Sequence, residues 1–325
     1  MLSILGLGHF HPETVIDNAF LEALDIGTNE AWILSRVGIH ERRSVLSLDY
    51  LRETKNADYR GAPEAATISN PAAGAAAARM AVERAGIALE DVGLVMCGGC
   101  SPQWLAPAEA SMVAYELGLE APAFDMHSAC STFGCQLHFA AQMGMALPDY
   151  VLCVMVENNT RVIDYRDRSS CVLWGDGCAA AVISTKHAGP LEVVSSVFGG
   201  APSGARDVVI PRLGYFAQEG SKVQKFAIKR MAGLLGDIQA SVDAPVTYVG
   251  HQANLTMLRS VARRRKVEDR HWFNIDRFGN QGSAGAPIVL SQRWDELAPG
   301  QDVGVVVVGA GLSWSRLHVR VASPE

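Results

Sequence analysis

Short, β-branched apolar runs alternate along the chain with longer small-residue or amphipathic stretches. Residues 92–97, 150–156, 178–183, 245–249 and 304–308 read as strands buried on both faces, because their apolar positions are continuous and not alternating. Between them lie helical patterns. Residues 72–85 are alanine-rich and amphipathic, residues 108–117 carry apolar positions at helical spacing, and residues 222–241 form a long amphipathic stretch that stops before Asp243 and Pro245. The alternation predicts an α/β protein.

A change of composition near residues 186–190 divides the pattern. A new strand follows over residues 191–198, and the element order then partly repeats, which predicts two related halves, 1–186 and 187–325. No fixed-period repeat accompanies it. Two stretches fall outside the pattern: residues 44–70, polar and mixed, read as an irregular excursion or helical insert, and residues 199–220 as a second surface excursion.

The chain has 325 residues, 49% of them hydrophobic and 19% charged, enough for a sizeable core and against disorder. A net charge of -6 excludes a generally basic nucleic-acid surface, so any anionic partner must meet a local basic patch. The N-terminal segment lacks a basic n-region, and the longest apolar run, residues 303–312, holds three glycines and is about half the length of a membrane span. The expectation is a cytoplasmic protein with no membrane and no nucleic-acid partner. Seven cysteines, an odd set in mostly apolar surroundings, fit reduced thiols better than a disulfide framework.

Chemistry concentrates at three places. Cys130 lies where a short strand turns through small residues into a helix expected to run to about Met145. A thiol at a helix N-terminus feels the positive end of the helix dipole, which favours thiolate, and small neighbours leave room for a substrate. Taken alone, one cysteine of seven is more often structural. His251 follows the strand at 245–249, and Asn280 opens a Gly-Asn-Gln-Gly segment. Three strand exits offering Cys, His and Asn can converge on one pocket, because reacting groups in α/β sheets gather outside strand ends.

These residues and their order resemble the β-ketoacyl-acyl-carrier-protein synthase III branch of the thiolase-fold condensing enzymes. The likeness runs almost end to end: Glu30 to Arg42, the Cys130 elbow, Asp164-Tyr-Arg-Asp-Arg168 leading to Trp174-Gly-Asp-Gly177, His251-Gln-Ala-Asn254, Gly279-Asn280, and Gly309-Ala-Gly-Leu-Ser-Trp314. The resemblance implies a thiolase-like α/β fold of two related halves, each with a mixed five-stranded sheet, in α-β-α-β-α layers. It also implies that Cys130 carries an acyl group from acyl-CoA or an acyl carrier protein, while His251 and Asn280 bind the carbonyl of a malonyl thioester. Decarboxylation leaves an enolate oxygen, and two neutral donors aimed at it stabilise charge that exists only in the transition state.

By the same resemblance, backbone N–H groups of Cys130 and Ala310 form the oxyanion hole. Trp32, Arg36 and Arg161 hold the nucleotide end of coenzyme A, and Asn254 lines the pantetheine tunnel. Arg263, Arg264, Arg265 and Lys266 are the densest basic run available for an acidic carrier protein, although such a run is usually a solvated face. No metal or cofactor beyond the thioester substrates is implied, and a homodimer is, with Trp104 and Leu105 near the partner's acyl site. Cys97-Gly-Gly-Cys100 has the spacing of a redox dithiol or half a zinc site, but no second ligand pair stands at zinc spacing and the glycines read as a strand end leading to Pro102 and Pro107, so neither is expected.

Thr256, His127, Ser128 and Gln281-Gly depart from the housekeeping pattern and point to a specialised homologue in fatty-acid-like or polyketide secondary metabolism. One alternative is acyl transfer to a hydroxyl or amine without condensation. Another is a noncatalytic subunit of a condensing heterodimer, which would be expected to have lost the nucleophile.

Overall fold

The computed structural model describes residues 1–323. Ten strands build the sheet: β1 (Leu2–Phe10), β2 (Val92–Gly98), β3 (Ala123–Asp125), β4 (Tyr150–Glu157) and β5 (Gly177–Ser184), then β6 (Leu191–Gly200), β7 (Val246–Gly250), β8 (His271–Trp272), β9 (Asp302–Gly309) and β10 (Ser313–Val321). In space they run β8-β7-β9-β10-β6-β1-β5-β4-β2-β3. The order is the same in both halves when read outward from β1 and from β6. In each, the second strand pairs parallel with the third and fourth, and the fifth pairs antiparallel with the fourth and first. The two five-stranded units are joined where β1 meets β6 antiparallel, Leu2 opposite Val193 and Ile4 opposite Leu191.

None of the predicted strands lies at an edge of this sheet, and β5 and β9 are buried along their whole length, as continuous apolar runs require. Helices cover them on every side: α1 (Glu30–Arg36), α2 (Asn70–Ala85), α3 (Glu109–Leu117), α4 (Thr132–Met143), α5 (Gly220–Gln239), α6 (Leu255–Arg265) and α7 (Gly285–Gln292). Contacts of α2 and α3 fall on the first half and those of α5 on the second, where α6 packs against α5. Contacts of α4 and α7 fall on strands of both halves. The result is five layers, with α4 and α7 in the middle. Phe133, Leu137, Ile288, Val289, Val305 and Leu317 belong to the apolar cluster of that middle layer.

Small residues set how closely helix and sheet approach. Ser69 caps α2 by accepting from Ala72 N at 3.3 Å, and the alanine-rich face of α2 lies directly on β1. A Cβ at Gly8 would sit 2.0 Å from the Ala77 carbonyl oxygen. Gly8→Ala is therefore expected to cost about 2 to 3 kcal/mol, since strand and helix backbones must separate. A urea-unfolding midpoint unchanged by Gly8→Ala would refute this contact.

Of the two excursions, 44–70 takes the helical reading its composition allowed, and 199–220 is more ordered than a surface excursion requires. The 44–70 segment contains the helix Leu48–Thr54, capped by Ser47, and buries Val45, Leu46 and Leu51. The 199–220 segment folds into a short hairpin, Val208–Val209 against Ala217–Gln218, and turns Phe216 inward. No helix among the described residues is long and apolar enough to cross a membrane.

Candidate active site

Cys130 owes its position to a turn fixed from both sides. Asp125, at the end of β3, accepts from the backbone N–H groups of Glu109 and Ala110 at 2.8 and 2.9 Å, tying the strand end to the start of α3. The chain then passes Ala129, which adopts a left-handed φ of 51°, and enters α4 two residues after Cys130. Thr132 Oγ1 accepts from Ser128 N and donates to Ala129 O, so the turn closes on itself. Across from it runs the 309–313 turn: Ser131 and Ser313 hydroxyls lie 2.8 Å apart, and a Cβ on Gly309 would come within 2.9 Å of Ser128 O and Ser131 N. Only glycine permits that approach, which packs the 309–313 turn against the residues flanking the cysteine, with Ala310 lining the same cavity.

His251 follows β7, and its backbone N–H bonds to Val306 O at 3.0 Å. Asn280 lies on the loop before α7, where its N–H bonds to Leu173 O. Its Oδ1 accepts from Gly282 N at 3.0 Å, which leaves the amide NH2 as the free donor end. Cys130, His251 and Asn280 are 8%, 6% and 5% exposed, yet all three line one cavity of about 560 Å3. The rest of its wall is largely apolar and includes Leu173, Val208, Phe216, Phe226, Met257 and Leu312.

The electrostatics favour ionisation at one thiol only. Cys130 is held well below the usual thiol range, first by a hydrogen bond from Cys100 and then by the charge and hydrogen bonding of His251, against the opposing effect of burial. Cys153 and Cys171 show the contrast: burial pushes the first far above the thiol range and the second up to about 12. All seven cysteines are free thiols. Cys97 and Cys100 are not partners, since Cys97 is buried in β2 while the Cys100 sulfur lies 3.8 Å from that of Cys130.

At the cavity mouth, Trp32 and Arg36 project from α1, whose N-cap Asn29 accepts from Trp32 N. Arg161 does not join them. It is 5% exposed and its guanidinium donates to the carbonyls of Asn158 and Ser101, so it serves the loops beneath the cavity. The guanidinium beside Trp32 is that of Arg168, 4.8 Å from the ring centroid, with Arg36 at 6.0 Å on the same ring. Arg168 closes the Asp-Tyr-Arg-Asp-Arg motif that the sequence displays.

Asn254 lines the cavity, but its side chain is occupied: Oδ1 caps α6 by accepting from Thr256 N and Met257 N, and Nδ2 donates to Arg36 O. Arg263, Arg264 and Arg265 form the last turn of α6 and Lys266 its C-cap, where cations complement the helix dipole. Arg265 is further tied to Gln239 at 2.7 Å, while Arg263, Arg264 and Lys266 are exposed.

A layered α/β fold with Cys, His and Asn meeting in one deep apolar cavity defines a thiolase-fold condensing enzyme. Comparison with known proteins narrows this. The model of the 3-oxoacyl-[acyl-carrier-protein] synthase III family matches residues 124–202, and that of its C-terminal part matches residues 239–321. A β-ketoacyl-[acyl-carrier-protein] synthase III of Syntrophomonas wolfei is 30% identical over 344 residues, spanning 98% of this chain and 97% of that protein. The crystal structure of the Thermus thermophilus synthase III superposes with a TM-score of 0.84 at 30% identity, covering 99% of this chain and all of that one. The priming β-ketosynthase of the R1128 polyketide pathway gives 0.82 at 25% identity, over 100% and 97% of the two chains. The chain belongs to the β-ketoacyl-acyl-carrier-protein synthase III family.

Proposed function

We propose that the protein loads an acyl group from an acyl-CoA or acyl carrier protein onto Cys130 and condenses it with a malonyl or β-ketoacyl thioester. The observation that carries this reading is the lowered Cys130 thiol facing His251 and Asn280 across one cavity. The thiolate attacks the acyl thioester carbonyl, and the C–S bond to coenzyme A or carrier breaks to release its thiolate, which takes a proton from solvent. N–H groups of Cys130 and Ala310 receive the oxyanion of the tetrahedral intermediate. The extender then enters, its thioester carbonyl accepting from His251 and from the amide of Asn280. Loss of carbon dioxide forms the enolate, whose carbon attacks the Cys130 thioester and expels the thiolate.

Trp32, Arg36 and Arg168 stack on and pair with the nucleotide end of coenzyme A at the mouth, a use that suits an aromatic face flanked by guanidinium groups. Exposed Arg263, Arg264 and Lys266 offer an acidic carrier protein a basic approach. We take residues 1–186 and 187–325 as the two halves of the enzyme and a homodimer as its working form. In support, β3 is an edge strand, and Phe124 on it and Trp104 and Leu105 on the loop after β2 are exposed. The likeness to a polyketide priming ketosynthase supports a role in fatty-acid-like or polyketide secondary metabolism.

Incubation with a panel of acyl thioesters followed by intact-protein mass spectrometry tests the reading. One acyl adduct per chain is expected in the wild type and none in Cys130→Ala. An adduct that persists in Cys130→Ala sinks the nucleophile assignment.

A further inference from the structure

The Cys130 turn is not the only sulfur in the cavity. Cys100 lies on the loop that leaves β2, lines the same cavity, and places its Sγ 3.8 Å from the Cys130 Sγ, within hydrogen-bond reach for two sulfurs. We propose that Cys100 is a second catalytic thiol: its S–H donates to the Cys130 sulfur and holds it as a thiolate in the resting enzyme. This rests on Cys130 being the nucleophile. No bond to Cys100 is made or broken, and its proton stays on its own sulfur throughout. When Cys130 is acylated, the acceptor loses its charge and the hydrogen bond weakens, so the thiol stabilises the free enzyme's nucleophile and not the acyl-enzyme.

Several independent anchors fix Cys100 for this task. Its backbone N–H donates to Glu157 Oε2 at 3.0 Å. Gly99 leaves no room to shift, because a Cβ there would lie 2.1 Å from Val156 O. On the other side, Ser101 O receives Arg161 Nη2 at 2.9 Å and Asn70 Nδ2 at 3.0 Å, and Ser101 Oγ donates to Asn159 at 2.7 Å. The buried Arg161 thus steadies the loop that carries Cys100. The two thiols also titrate in opposite directions: hydrogen bonding to Cys130 and burial push Cys100 up, while Cys130 moves down.

The titratable groups facing the Cys130 sulfur or its cavity are Cys100 with Glu157 behind it, His127 from the turn, His251 from the exit of β7, and Arg36 at the mouth. The walls supplied by α5, by the 308–312 turn and by Met257 carry no charge. Every variant below keeps both histidines, so the difference between variants reports on residue 100 alone.

The test is the pH profile of Cys130 alkylation by iodoacetamide, with the labelled site identified by peptide mapping, in the wild type, Cys100→Ala, Cys100→Val and Cys100→Ser. Removing the donor in Cys100→Ala is expected to raise the midpoint by about one pH unit and slow alkylation at pH 7 by about five- to tenfold. Cys100→Val, which fills the volume without a donor, should match it, and serves alone if Cys100→Ala does not fold. Cys100→Ser, with a hydroxyl donor, should recover most of the loss. An unchanged midpoint in the Ala or Val variant overturns the proposal. So does a Ser variant as slow as Ala, which would mean that residue 100 only packs. Alkylation needs no acyl thioester, so a missing acyl adduct on Cys130 would refute the nucleophile reading separately.

Discussion

Asn280→Ala is expected to cut condensation by about 100- to 1,000-fold, the loss typical of one oxyanion donor, while acylation of Cys130 changes no more than a few-fold. The separation follows from geometry. Asn280 reaches the cavity with only its amide NH2 free, and it is not among the groups that hold the Cys130 thiol down. Its donor therefore acts when the enolate forms, a step that follows loading. His251→Ala is a different case, because His251 also lowers Cys130, so it should slow both loading and condensation. The measurement is carbon dioxide release from malonyl thioester, set beside acyl-adduct formation by mass spectrometry. Product formed by Asn280→Ala at the wild-type rate would refute the enolate role. Product formed by the wild type with no carbon dioxide release would instead favour acyl transfer to a hydroxyl or amine.

The sequence was most informative where one physical requirement dominated. Continuous β-branched runs such as residues 304–308 have few alternatives to a strand covered on both faces, and β9 is that. Cys130 and His251 were legible because strand exits converge, whereas Asn280, expected at a third strand exit, follows the helical turn Ile275–Phe278 and was legible only because the surrounding motifs carried a family likeness. Arg161 and Arg168 show the limit. Both are arginines seven residues apart in a motif-bearing stretch, and only the fold tells which is swallowed by backbone carbonyls and which reaches Trp32. Cys100 shows another, since local sequence offered it only a discounted pairing with Cys97, whereas strand β2 carries Cys97 into the core and delivers Cys100 to Cys130. Residues 208–216, polar-flanked and glycine-rich around them, gave no sign that Val208 and Phe216 would wall the cavity.

Glu157 carries the other large effect, on stability instead of rate. The end of β4 delivers this side chain to a fully buried site where Oε2 accepts from Cys100 N and Asn159 Nδ2, and Oε1 from the backbone N–H and hydroxyl of Ser283. It thereby ties the Cys100 loop to the loop that follows Asn280. Burial, followed by the negative charge of Cys130, pushes its carboxyl from 4.5 up to about 7, against the hydrogen bonds from Ser283 and Cys100 N. Between these values the folded protein keeps a proton that the unfolded chain has released. The contribution to stability is thus fully present below pH 4.5 and is lost as pH rises through about 7, a swing of about 3 kcal/mol. Glu157→Gln cannot titrate, and its NH2 must face at least one donor, so the variant is less stable at every pH. The stability difference between wild type and Glu157→Gln, from urea unfolding, is expected to be largest near pH 5 and to shrink by pH 8. A difference that stays constant over that range would mean that Glu157 is ionised throughout. In Cys130→Ala the facing thiolate is gone, so the folded carboxyl titrates at lower pH and the same loss should be smaller and complete sooner, which would show the carboxyl and the nucleophile to be electrostatically linked across the Cys100 loop.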